Sequence, residues 1–130
     1  MLRIKLYSIF VDDQTKALRF YTEVLGFVKA HEIPVGEYRW LTVRAVDGDT
    51  ELSLEPNVNP AARAYQQSLL EQGIPATAFE VDDIQLEFER LKKLGVQFKG
   101  PPKQAGPVSI AVLNDTCGNL IQLYQPPSRG

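Results

Sequence analysis

Two stretches of this chain are written almost alike. Val11-Asp12-Asp13 leads to Leu25-Gly26-Phe27, and Val81-Asp82-Asp83 leads to Leu94-Gly95-Val96, with the second block one residue shorter. Each begins after an alternating apolar run and ends at a glycine, as a strand, a capped helix and a second strand would be written. The offset of about 70 residues is too long for a solenoid period and fits duplication of a whole module. The fold must therefore be assembled from two like halves, and 130 residues suffice to give them one core without disulfide or metal staples.

In the first block Ala17, Phe20, Tyr21 and Val24 fall on one helical stripe, with Asp12 or Asp13 as cap and Gly26 as stop. In the second, Ile84, Phe88 and Leu91 form the stripe, Asp82 or Asp83 the cap and Gly95 the stop. Strands are expected at about 28–33, 37–45 and 50–55, broken by Pro34-Val35-Gly36 and by the Asp47-Gly48 hairpin signal. Asn59-Pro60 starts a linking helix that carries Tyr65 and Leu69 and stops at Gly73. The second half repeats the order near 76–81, 96–99, 108–113 and 120–125, and the Gly- and Pro-rich segment 99–107 reads as a mobile loop. Each half is thus β-α-β-β-β. The expected layout is a single domain over 1–130, with module one at about 1–57, the linking helix at about 59–73 and module two at about 75–126.

Several classes of function are disfavoured. A net charge of -2, and a densest basic run of only Arg90, Lys92 and Lys93, argue against nucleic acid. No stretch approaches the roughly 20 apolar residues of a membrane span. The apolar run at 6–11 is shorter than a signal-peptide core and ends in Asp12-Asp13, so a cytoplasmic protein is expected. Cys117 is the only cysteine; it precedes a strand with no histidine near it in sequence, the setting of a turn or core cysteine rather than a nucleophile.

The ordered set Val11-Asp12-Asp13, Phe20-Tyr21 with Leu25-Gly26-Phe27, Arg39-Trp40-Leu41-Thr42-Val43 and Gly118-Asn119-Leu120-Ile121-Gln122-Leu123 resembles the vicinal oxygen chelate superfamily. That superfamily includes glyoxalase I, extradiol dioxygenases and the bleomycin and fosfomycin resistance proteins. The resemblance implies an α+β fold in which two βαβββ modules pair curved mixed sheets around a central cleft. It also implies a divalent metal in many members, held from four strands. The matching positions here are Leu6, Ala76, Glu51 and Gln122. Leu6 and Ala76 cannot donate to a metal, and His31, the one histidine, lies at no matching position. No tightly bound metal is therefore expected. The alternative is a weak Mg²⁺ or Mn²⁺ at Glu51 and Gln122, completed by waters and substrate oxygens.

Strand alternation then divides each sheet into a helix side and a cleft side. Leu6, Ser8, Phe10, Trp40, Thr42 and Glu51 fall on the cleft side of module one, and Ala76, Gln122 and Tyr124 on that of module two. These nine form the expected ligand-binding set, aromatic surface with a few polar groups, which suits a partly apolar small organic molecule. Glu51 is the candidate catalytic residue, because a desolvated carboxylate has a raised pKa and serves as a base. His31 reads as a surface residue near the turn at Pro34. Three functions follow in order: a metal-independent binding protein of the resistance type; a glyoxalase- or dioxygenase-like enzyme using Glu51; and an interaction module with a vestigial cleft. A homodimer is expected, since open sheet edges need cover.

Overall fold

The computed structural model describes residues 1–127. Its elements run β1 (Leu6–Val11), α1 (Gln14–Arg19) continuing into a π-helical turn (Phe20–Val24), β2 (Val28–Val35), β3 (Tyr38–Arg44), β4 (Glu51–Pro56), α2 (Pro60–Gln72), β5 (Thr77–Glu80), α3 (Ile84–Lys93), β6 (Lys103–Ala105), β7 (Val108–Asn114) and β8 (Leu120–Gln125). The fold is α+β, with two four-stranded mixed sheets, and none of these helices is long and apolar enough to cross a membrane. The chain divides into two compact units, Met1–Gln66 and a second that begins at Gln67.

The repeated aspartates cap both repeated helices. Asp13 accepts from the backbone N–H of Lys16 at 3.0 Å, and Asp83 from that of Leu86 at 3.1 Å, each filling one of the orphan donors of a helix start. Gly26 and Gly95, both at φ +91°, take the left-handed conformation that ends each block.

In the first unit the strand order is β1-β4-β3-β2, with β1 and β4 parallel and the other pairs antiparallel. Ile9, Val11, Leu41, Val43, Leu52 and Leu54 share one face and are buried together with Ala17, Phe20 and Tyr21. Full burial of each large apolar side chain contributes roughly 1.5–3 kcal/mol, so this layer fixes which face of the sheet the helix covers. The sequence pattern gave an α-helix throughout; instead its last turn widens, with Leu25 N–H donating to Phe20 C=O at 3.0 Å. The adjacent Phe20 and Tyr21 are both buried, with their rings edge to face at 5.6 Å.

Pairing of β3 with β4 runs from Arg44/Glu51 to Thr42/Ser53. Past that point the side chain of Gln14 bridges the two strands. Its amide nitrogen donates to Arg39 C=O and Leu54 C=O, both at 2.8 Å, while its oxygen accepts from Arg39 N–H at 3.1 Å. One buried side chain on α1 thus supplies sheet-like hydrogen bonds where the ladder ends.

The second unit has the order β5-β8-β7-β6, with β5 and β8 parallel. Ile84, Phe88 and Leu91 of α3 are buried, as are Ala111, Leu113, Ile121 and Leu123 on the sheet. One expectation fails here. The segment at 96–99 forms only a single bridge, Phe98 to Leu113, and the second strand of this module is β6, inside the segment read as a mobile loop. Gly106, at φ +63°, and Pro107 make the turn, with Ala105 paired to Val108 across it.

Candidate functional site

On the first unit's sheet, the face opposite α1 can be read off the strand register in rows. Leu6, Glu51, Arg44 and Val28 stand side by side, and Ser8, Ser53, Thr42 and His31 make the next row. Phe10 beside Glu55, and Trp40 beside Ile33, follow on the two sides of the gap bridged by Gln14. All six residues assigned to this face from sequence, Leu6, Ser8, Phe10, Trp40, Thr42 and Glu51, therefore share it. Trp40 and Phe10 are half-buried, Thr42 and Ser53 fully buried, and Leu6 and Ser8 exposed.

His31 is a further polar group of this face, exposed as expected, and belongs to β2. The strand carries a bulge between Lys29 and His31, after which His31 pairs with Thr42. Its Nδ1 lies 2.8 Å from Glu51 Oε1, and the same oxygen accepts from the Thr42 hydroxyl at 2.6 Å. The Glu51 side chain is 26% exposed and that of His31 47%. The expectation for Glu51 is thereby reversed. Hydrogen bonds from Thr42 and then His31 hold its carboxyl below the ordinary glutamate value, outweighing the upward push of desolvation. A carboxylate so stabilised is a weaker base than a desolvated one, and an orienter of its neighbours. Of the other charged groups, Glu55 accepts from Ser53 at 2.5 Å, and the Arg44 guanidinium donates to Ala45 C=O at 3.0 Å.

In the second unit, Gln122 pairs with Ala78 and Val112, and Tyr124 with Glu80 and Ile110. Both are half-buried on the face opposite Ile121 and Leu123. Ala76 stands just before β5, where its N–H donates to Leu120 C=O at 2.8 Å. Cys117 is buried in the turn before β8, whose loop is held by Asp115 accepting from Cys117 N–H at 2.7 Å and Asn119 N–H at 3.0 Å.

The donor set does not fit a tight metal centre. Among the described residues no three His, Cys, Asp or Glu side chains group to hold an ion. Leu6 and Ala76, expected from the resemblance at ligand positions, present only hydrocarbon, and Glu51 Oε1 is already shared by Thr42 and His31. Two surface hollows lie elsewhere: one of about 320 Å³ beside Asp13, Tyr38, Arg39 and Arg63, and one of about 570 Å³ beside Phe88, Lys92 and Phe98. Neither is lined by any of the nine expected residues.

Residues 3–123 match the sequence model of the Glyoxalase/Bleomycin resistance protein/Dioxygenase superfamily. The chain belongs to that superfamily. Within the superfamily it is 52% identical to the uncharacterized protein YurT of Bacillus subtilis (strain 168) over 126 residues, covering 95% of this chain and 99% of that one. The solved structure of UcmS2 superposes with a TM-score of 0.82 at 30% identity, covering 95% of this chain and 98% of UcmS2. That of TnmS3, described as an antibiotic binding protein from Streptomyces sp. CB03234, gives 0.78 at 31% identity, with 97% of each chain covered.

Proposed function

We propose that this glyoxalase/bleomycin-resistance-type chain is a cytoplasmic small-molecule-binding protein that takes a planar, partly apolar organic ligand without a tightly bound metal. The observation that carries the reading is Trp40: half-buried, on the same sheet face as Phe10 and next to the Thr42, Glu51 and His31 cluster. A flat apolar surface bordered by a few fixed polar groups is what small organic ligands need. The likeness to TnmS3 supports it, since that relative is described as binding an antibiotic. The remaining members of the proposed set are Leu6 and Ser8 on the same face, and Ala76, Gln122 and Tyr124 on the second unit's sheet. Equilibrium dialysis with 2-methoxynaphthalene tests the reading. Trp40→Ala is expected to weaken binding by roughly 1–3 kcal/mol, as losing an aromatic anchor does. Unchanged affinity in that variant would remove the site from this face.

One observation favours an enzymatic second reading: the hydrogen-bonded Glu51 and His31 are an acid-base pair on an accessible surface. On that reading a weak divalent ion at Glu51 and Gln122 assists a glyoxalase- or dioxygenase-like reaction. Glu51→Gln separates the two. A binder of neutral compounds tolerates the loss of charge, whereas an enzyme using Glu51 as base loses turnover by about two or more orders of magnitude. One Zn, Fe, Ni or Mn per chain after dialysis would overturn the metal-free reading.

A further inference from the structure

The strand bulge places the chain's only histidine against a carboxylate, which fixes more than its position. Glu51 can only accept in its ionised form, so the proton between the two groups belongs to His31 Nδ1. A second acceptor, Thr42 Oγ1, lies 3.2 Å from the same nitrogen. Which imidazole nitrogen carries the proton is set by the bond the other one makes. Nε2 of the neutral ring is therefore left as an unprotonated acceptor. The ring makes no hydrogen bond through Nε2 among the described residues, and the His31 side chain is nearly half exposed. Of the charged groups on the same face, Arg44 is turned to backbone carbonyls and Glu55 is bonded to Ser53. Neither satisfies the free nitrogen.

Resting on the binding reading above, we infer that His31 Nε2 selects ligands that carry an acidic hydroxyl, a phenol or enol, on the ring held against Trp40, with Glu51 acting as the positioning residue. The hydroxyl donates to Nε2. If the proton passes across, the same contact persists as imidazolium donating to phenolate, and no other co-reactant is needed. Ethers and unsubstituted arenes of the same size offer no proton and leave Nε2 facing an apolar edge. His31 is thus a specificity residue beside an aromatic platform, and Glu51 acts through it.

Three probes test this by equilibrium dialysis: 2-naphthol, 2-methoxynaphthalene and naphthalene. The native protein is expected to bind 2-naphthol at least about tenfold more tightly than either analogue, the order of one well-made hydrogen bond. In His31→Phe the preference for 2-naphthol over the two analogues should collapse to within about twofold. Nitrogen-15 NMR supplies a readout independent of binding, since a single histidine leaves no assignment ambiguity. At a pH where the ring is neutral, Nδ1 should carry the proton in the native protein, and Glu51→Gln should redistribute it toward Nε2 and erase the preference for naphthol. Equal binding of all three probes, with Trp40→Ala weakening each, would overturn the inference and leave the binding reading standing. Binding of none would overturn both. A native ring protonated mainly at Nε2 would overturn the inference alone.

Discussion

Replacing Gln14 by alanine removes three hydrogen bonds with one truncation. The side chain is 6% exposed and spans the point where β3 and β4 part, donating to Arg39 C=O and Leu54 C=O and accepting from Arg39 N–H. The net value of each bond is about 1 kcal/mol, and a buried carbonyl left unpaired costs about 1–3 kcal/mol. Leu54 is 1% exposed, so its carbonyl stays without water, whereas Arg39 is half-buried and its groups can rehydrate. Loss of about 2–4 kcal/mol is therefore expected, read as a lower urea midpoint with an unchanged slope. Gln14→Glu sharpens the test, because it keeps the volume and the acceptor but sets an anionic oxygen against two carbonyls. Its folded-state pKa must lie above the unfolded value of about 4.3. The variant's stability is therefore greatest below that value and is lost as pH rises through the raised one. A Gln14→Ala protein within about 0.5 kcal/mol of the native chain would show that the strands are held apart by something other than this amide.

Three further outcomes follow. Thr116 has φ +62°, a left-handed conformation that is costly for a β-branched residue, so Thr116→Gly should raise thermal stability by an amount on the order of 1 kcal/mol; a fall would mean the hydroxyl matters more than the strain. Because the Glu51 carboxyl is held below its ordinary value by Thr42 and His31, its stabilising contribution is present above about pH 4.3 and disappears as pH falls through the lower folded value. The stability gap between native protein and Glu51→Gln should close over that window, and a gap that persists in acid would assign it to packing. Light scattering at micromolar concentration should give twice the 14.6 kDa chain mass, and a monomer at every concentration refutes the dimer.

The duplicated blocks made the architecture legible because capping, stripe and stop all agreed at the same residues. Asp13 and Asp83 cap, Ile84, Phe88 and Leu91 turn inward, and the last strand falls on Leu120–Gln125 as alternation required. The face carrying Trp40 and Glu51 was readable for the same reason, since period-two counting holds in a strand without irregularity. His31 was not. Counting by twos from Val28 sends it to the helix side, and only the bulge, which leaves no clear mark in the sequence, returns it to Thr42. The short β6 strand was hidden too, because Lys103-Gln104-Ala105 has no apolar alternation; its one signal was the Gly106-Pro107 turn. For Glu51, sequence placed the carboxylate but gave no sign of the two donors that set its acidity.

The bulge also bears on how such a surface diverges. The strand it interrupts lies at the edge of its sheet and buries little, so gaining or losing one residue there leaves the packing between α1 and the sheet intact. Ala30 is the extra residue, so its loss would restore a regular ladder with His31 still opposite Thr42 and Ile33 opposite Trp40, and no side chain would change face. One codon can therefore be gained or lost at this edge while the row of Ser8, Ser53, Thr42 and His31 keeps its place, so the length of the strand is freer to drift than the face it presents.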